Sequence, residues 1–381
     1  MSVTYAQGFR AAGVTAGLKA SGKPDVAVVI NDGPHWAAAG VFTSNRIQAA
    51  PVLWSRQVLS DGQLRAVVLN SGGANACTGP EGFADTHHTA EAAAEALGVG
   101  PIDVAVCSTG LIGERLDMPK LMAGLSQTIA IADSEGGAAA AEAIMTTDTV
   151  IKTSAVREGY AIGGMAKGAG MLAPGMATML CVITTDAVIE PAALDAALRK
   201  ATATTFDRVD ADGCMSTNDT VILMANGASG IPADERFDDL LHLVCADLAR
   251  QLAADAEGAT KLIDVTVVNA ASEEDAVEAG RAVARSALFK CAMFGQDPNW
   301  GRVLAAVGTT QAQFDPLHID VSINGVQVCR DSGVGEPRDL VDLSGRDVNV
   351  VVDLHAGDAS ATITTTDLTH DYVHENSAYS T

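Results

Sequence analysis

Between Lys167 and Leu180 the sequence reads KGAGMLAPGMATML, with loose backbone directly before one threonine, and it then turns apolar in MLCVITT. A threonine hydroxyl is a weak nucleophile until a base takes its proton, and an α-amino group, with a reference pKa near ~8, is one such base. On Thr178 both groups would belong to one residue once the peptide bond after Ala177 is broken. Gly168, Gly170 and Gly175 allow unusual backbone angles and Pro174 stiffens the bend. Together they can hold the Ala177 carbonyl under strain against the Thr178 hydroxyl. Attack gives an ester by N-to-O acyl shift, and hydrolysis leaves residue 178 as a new N-terminus. A Gly/Pro loop ahead of a strand is also an ordinary connection, and composition does not separate the two readings.

The elements that must position such a residue alternate in type. Short β-branched runs at 26–30, 66–70, 103–107, 179–185, 220–225, 263–270, 318–324, 348–354 and 360–367 read as strands. Ala-rich helical segments separate them. Asp85, Asp117 and Ser134 are candidate caps, Pro191 opens a helix, and long amphipathic helices are expected over 235–256 and 273–294. The pattern predicts an α/β (α+β) layered sandwich of two domains, with mixed sheets and helices outside. HIDVSIN alternates polar and apolar residues, so part of the sheet is expected to be antiparallel with a polar face. The one long Gly-rich break places a boundary between residues 1–177 and 178–381.

The 381 residues suffice for a full core, and 48% are apolar but only 4% aromatic, so Ala, Val, Leu and Ile must fill it. A formal charge of −23 repels nucleic acid. No apolar run reaches the roughly 18 residues of a membrane helix, and no signal peptide is visible, so a cytoplasmic protein without a membrane partner is expected. The seven cysteines include no C-x-x-C and read as small buried hydrophobes in a reducing compartment. His87 and His88 have no third ligand at metal spacing and read as a solvated face; no metal is expected.

Ordered motifs run through almost the whole chain: GFRAAGVTAGLK at 8–19, AGVFTSNRIQAAPV at 39–52, LNSGGANACTG at 69–79 and CSTGLIGERL at 107–116. They continue with IMTTDT at 144–149, the KGAGMLAPGMATML break, STNDTV at 216–221, EGATKL at 257–262, GQDPNWGRVLAAVG at 295–308 and the terminal ENSAYST. This series resembles the ornithine acetyltransferase (glutamate N-acetyltransferase) family of arginine biosynthesis. The resemblance implies an enzyme that cuts itself between Ala177 and Thr178 into the two pieces named above. It implies ping-pong transfer of acetyl from N-acetylornithine to glutamate through acetyl-Thr178, with no cofactor; acetyl-CoA is a second donor for some members. It also implies an α2β2 assembly.

Residue by residue, the resemblance makes Thr178 the nucleophile and Thr109 with Gly110 the oxyanion donors; on its own, STG at 108–110 reads rather as a turn after a strand. Lys167, otherwise a loop lysine, matches a substrate residue and suits a substrate carboxylate. Glu257, otherwise a polar helix end, suits the ornithine ammonium. Thr147 is assigned to substrate, with Thr146 its possible confusion, and so are Asn376 and Thr381 in a tail that would ordinarily fray. DPNWGR at 297–302 reads as a site or as a structural turn. The family often has Asn where this chain has Gly73 and Gly175, and the stretch 149–163 looks trimmed to a hairpin. Alternatives that share some of these features are a self-processing N-terminal-nucleophile aminopeptidase or amidase, a paralogous acetyltransferase of a secondary pathway, and an amino-acid binding protein.

Overall fold

The structure is a computed structural model and describes residues 1–173 and 179–378. Gly175, Ala177, Thr178 and Thr381 lie outside the described residues. Two compact units are present, one of residues 1–207 with 214–252, the other of residues 208–213 with 253 onward.

The strands of the first unit are β1 (Phe9–Val14), β2 (Val26–Asn31), β3 (Ala37–Phe42), β4 (Ala66–Ser71), β5 (Val104–Thr109), β6 (Lys152–Glu158), β7 (Tyr160–Lys167), β8 (Leu180–Thr185) and β9 (Thr220–Ala225). Its helices are α1 (Ala50–Val58), α2 (Gly79–Leu97), α3 (Met118–Ile131), α4 (Gly137–Ala143), α5 (Pro191–Thr204) and α6 (Phe237–Ala254). One sheet has the order β1-β2-β4-β5, the other β3-β9-β8-β7-β6. Val28, Val67 and Val106 of the first sheet and Met165, Val182 and Ile222 of the second share one buried cluster, to which α2, α3 and α4 add mainly alanines. Small helix residues let the helix backbones lie close to the sheet, which is why so few aromatics suffice. Strands β2, β4, β5, β8 and β9 are buried along their whole length. Burial on both faces produces the unbroken apolar runs seen in the sequence.

The second unit holds β10 (Leu262–Ala270), β11 (Asp320–Ile323), β12 (Val326–Arg330), β13 (Gly333–Val334), β14 (Asp347–Asp353) and β15 (Ala359–Thr366), in the order β13-β12-β11-β14-β10-β15. Helices α7 (Glu273–Ala284), α8 (Ala287–Phe294) and α9 (Trp300–Val307) join one face of this sheet in a buried cluster with Val265, Val267, Val350 and Val352. A last helix is α10 (His370–Ala378). The other face is polar: β14 alternates exposed and buried residues, and its pairing with β11 is antiparallel, as HIDVSIN implied.

The layered mixed α/β class is borne out. Several details differ. Asp85 does not cap α2, which begins at Gly79; it sits mid-helix and accepts two bonds, both 2.9 Å, from Arg115. Helix α4 starts at Gly137 with Gly136 as its cap, not Ser134. The helix expected over 273–294 is two, because the Ser286 hydroxyl accepts the Phe289 N–H and starts α8. Four cysteines are buried, but Cys77, Cys214 and Cys291 are exposed. The 149–163 stretch does form a hairpin, β6–β7, turning at Gly159 with φ +88°. The compact units do not divide at residue 177: β7 and β8, before and after the break, pair in one sheet with Lys167 opposite Leu180. The division 1–177 and 178–381 belongs with the proposed cleavage.

Candidate active site

Strands β4 and β5 run parallel, so their C-terminal ends and the loops after them lie side by side. The Thr109 carbonyl, at the end of β5, accepts the N–H groups of both Gly72 and Gly73 at 3.0 Å. Gly110 follows with φ +134°, a conformation reserved for glycine, and a Cβ there would lie 2.5 Å from the Gly73 nitrogen. The STG segment is thus locked by the loop that carries Gly73. At Gly73 itself a Cβ would meet Leu116 Cδ2 at 2.7 Å, so a side chain there needs Leu116 to move.

Lys167 ends β7 with only 1% of its surface exposed. Its Nζ donates to Thr109 Oγ1 at 3.4 Å and lies 4.0 Å from Asp148 Oδ2. Asp148, 4% exposed, is the centre of a buried polar cluster. Its Oδ1 accepts from Lys152 Nζ at 2.6 Å and from the Gly168 N–H at 2.7 Å, while Oδ2 accepts the Thr146 N–H at 3.0 Å. Burial opposes ionisation of this carboxyl. The charges of Lys167 and Lys152, with the Lys152 and Thr146 hydrogen bonds, outweigh it and hold the carboxyl down to about 2. Lys19 is a third cation of this region; burial chiefly, with the Lys167 charge, pulls it down to about 8 against the attraction of Asp25 and Asp148. Thr147, half-buried, directly precedes Asp148, and its neighbour Thr146 is the one whose N–H binds that carboxylate.

The Asp219 carboxylate is fully buried and accepts the Met179 N–H at 3.1 Å and the Ser216 N–H at 3.0 Å. Burial first of all lifts its pKa well above the usual carboxylate range, against those N–H groups and Lys167. Beside it, Asn218 Nδ2 donates to the carbonyls of Ala74 at 2.6 Å and Ser108 at 2.8 Å.

In the second unit, Glu257 is half-buried in the loop after α6. Gly258 next to it has φ +65°, and a Cβ there would lie 2.2 Å from the Tyr372 nitrogen, so this loop packs tightly on the start of α10. Thr369 Oγ1 also donates to the Gly258 carbonyl at 2.6 Å. Asn376, exposed on α10, donates to the Tyr372 carbonyl at 3.0 Å. The tail through Ala378 is thus a helix, not a frayed end.

The structure brings Thr109, Gly110 and Lys167 together with the loop of Thr147, and it places Glu257 beside the helix that carries Asn376. Reasoning from sequence did not single out Asp148, Lys152, Asn218 or Asp219, although three of them lie inside quoted motifs. In DPNWGR the Asn299 side chain caps α9 by accepting the Arg302 N–H, and Asn299 Nδ2 donates to Asp297. His87 and His88 are exposed, with His87 against the Trp54 ring and 3.7 Å from Glu91. Among the described residues no group of three or more His, Cys, Asp or Glu could hold a metal ion, and no helix is long and apolar enough to cross a membrane.

A family profile described as the ArgJ family matches residues 10–381. The chain belongs to the ArgJ family. The arginine biosynthesis bifunctional protein ArgJ of Streptomyces coelicolor is 64% identical over 382 residues, covering 100% of both chains. That of Thermobifida fusca is 66% identical over 383 residues, again covering 100% of both. A solved ornithine acetyltransferase complexed with ornithine, from Mycobacterium tuberculosis, is 62% identical with a TM-score of 0.45, covering 45% of this chain and 94% of that one. The expected family is borne out, and this ArgJ-family chain is an acetyltransferase of arginine biosynthesis.

Proposed function

We propose that this ArgJ-family enzyme moves acetyl from N-acetyl-L-ornithine to L-glutamate through an acetyl ester on Thr178, after cutting itself between Ala177 and Thr178. The observation that carries this reading is the buried Lys167 ammonium, 3.4 Å from Thr109 Oγ1 and next to the glycine-locked Gly110. A cation fixed beside candidate oxyanion donors suits an acyl-transfer site that takes a carboxylate-bearing substrate.

In the processing step the Thr178 oxygen attacks the Ala177 carbonyl carbon, the C–N bond breaks, and water cleaves the resulting ester to an Ala177 carboxylate. The freed Thr178 amine then accepts the hydroxyl proton as that oxygen attacks the acetyl carbonyl of the donor. Thr109 and Gly110 stabilise the oxyanion, one such donor being worth roughly 3–4 kcal/mol in other enzymes. Collapse breaks the amide bond, and the amine proton passes to the departing ornithine nitrogen. The glutamate amine attacks the acetyl ester by the same path in reverse. Lys167 and Thr147 bind and orient substrate near this carbonyl, Glu257 takes the ornithine side-chain ammonium, and Asn376 and Thr381 complete substrate binding. The same reading makes the protein a cytoplasmic α2β2 assembly of the two pieces, with an N-terminal nucleophile.

Denaturing mass spectrometry combined with an acetyl-donor panel tests it. The expected result is two masses, for residues 1–177 and 178–381, acetyl-Thr178 on trapping, and loss of cleavage and turnover in Thr178→Ala. One unbroken, fully active chain rejects the mechanism. Steady ornithine release without glutamate transfers the reading to the hydrolase alternative.

A further inference from the structure

The turn that leads into β9 carries two adjacent buried polar side chains, Asn218 at 4% exposure and Asp219 at 0%. Burying such groups is costly unless each is fully hydrogen-bonded, so their partners show what holds them there. Those partners are backbone groups on two different sides of the candidate site. Asn218 Nδ2 uses both of its hydrogens, one on the Ala74 carbonyl and one on the Ser108 carbonyl. Because a peptide group is planar, fixing the Ser108 C=O also fixes the plane of the peptide bond that enters Thr109. Ala74 belongs to the loop whose Gly72 and Gly73 hold the Thr109 carbonyl, and its own N–H donates to Leu111 O at 2.9 Å. Asn218 therefore holds Ser108 directly, and it also holds the Ala74 loop whose N–H reaches Leu111.

Asp219 does the same just ahead of β8. Met179 directly follows Thr178, and its N–H ends on Asp219 Oδ1 while its carbonyl accepts the Thr220 N–H at 3.1 Å. The turn itself is rigid. The Thr43 hydroxyl donates to the Ser216 carbonyl at 2.7 Å, the Thr43 N–H to the Asp219 carbonyl at 2.9 Å, and the Thr217 hydroxyl to Asn218 Oδ1 at 2.6 Å.

We propose that Asn218 and Asp219 are positioning residues that hold the Thr109–Gly110 segment and the Met179 amide in fixed register. One dipeptide holds the oxyanion strand with its first side chain and the amide after the nucleophile with its second. Any shift of one relative to the other must break a bond to this turn. The inference rests on the assignment of Thr178, which directly precedes Met179, as nucleophile.

The test compares Asn218→Asp and Asp219→Asn with the wild-type enzyme and with Thr178→Ala. In Asn218→Asp a carboxylate faces two carbonyls and both donated bonds are lost. In Asp219→Asn the shape stays, but an NH2 group faces one of the two N–H donors. Each variant is assayed for self-cleavage by intact mass, for kcat and KM with N-acetylornithine and glutamate, and for thermal unfolding. The expected result is a fall in kcat on the order of 100-fold, the cost of misplacing reacting groups by about 1 Å, with KM within about threefold and slower self-cleavage. A purely structural role would lower the unfolding temperature and leave the kcat of the folded fraction unchanged, which overturns the proposal. So does a loss confined to KM. If either variant fails to fold, Thr217→Ala, which frees the Asn218 amide to swing, is expected to lower kcat about tenfold at unchanged KM; unchanged kcat there overturns the proposal. Full turnover in Thr178→Ala brings down the nucleophile assignment and this inference together. A dead Thr178→Ala alongside fully active Asn218 and Asp219 variants brings down this inference alone.

Discussion

Replacing Asp148 by asparagine removes one negative charge from a site where two buried ammonium groups converge on it. The carboxyl is drawn from its ordinary 3.8 to about 2 although burial works the other way. At ~1.4 kcal/mol per pKa unit that drop alone favours the ionised form by about 2 kcal/mol. An asparagine also turns an NH2 group toward one set of donors now satisfied, either Lys152 with Gly168 or Thr146 with Lys167. Breaking a buried pair from one side typically costs about 3–5 kcal/mol, because the remaining charge stays in the interior. Asp148→Asn is therefore expected to lose about 3–5 kcal/mol of unfolding free energy in urea at pH 7. It is also expected to lower kcat/KM by at least about tenfold, since Lys167 and the Thr147 loop lose a common anchor. A loss below about 1 kcal/mol with kcat/KM unchanged refutes the argument that this carboxylate organises the cluster.

Acidification has a defined sign at the same residue: a depressed carboxyl contributes stability above about 3.8 that is lost as pH falls through about 2. The stability gap between wild type and Asp148→Asn should accordingly shrink between about pH 4 and pH 2, as read by urea unfolding; a gap constant across that window refutes the assignment. Thr109→Ala removes the side-chain hydroxyl of a proposed oxyanion donor and should lower kcat by about 10²–10³-fold, measured by acetyl transfer at saturating substrate. Gly110→Ala places a methyl 2.5 Å from the Gly73 nitrogen at φ +134° and should cost more than about 2 kcal/mol in thermal unfolding.

The strands of the first unit were legible because burial on two faces leaves short, mostly apolar β-branched runs, as in VAVVIN and LCVITT, and β14 of the second because it alternates exposed and buried residues. Asp117 and Pro191 marked their helices for local reasons, a side-chain acceptor for the Lys120 N–H and a first-turn proline. What stayed hidden depended on partners distant in sequence. The Ala-rich strand β3, AAAGVF, owes its form to pairing with β9, since its alanines favour a helix as readily. The break between α7 and α8 is invisible to periodicity because ARSAL keeps a helical spacing while Ser286 turns its side chain into a cap. Asp148 in IMTTDT reads as a solvated loop residue. Only the fold brings Lys152 and Lys167 to it, from the first residue of β6 and the last of β7. Thr109, Gly110 and Lys167 entered through the family resemblance, since no spacing rule links residues 58 apart.

The order β3-β9-β8-β7-β6 interleaves the two halves of the chain: β8 and β9 come from beyond the break, and β3 and β7 on either side of them come from before it. A cut between 177 and 178 leaves every ladder bond of that sheet in place, so the severed molecule stays one body in native buffer and parts only in denaturant. The way back is different in kind. A single chain reaches this weave by an intramolecular search, whereas two denatured pieces must first find each other, and their recovery falls with dilution. On the proposed cleavage the scission is a ratchet: the architecture is assembled once, before the nick, and its later endurance is governed by how slowly it comes apart.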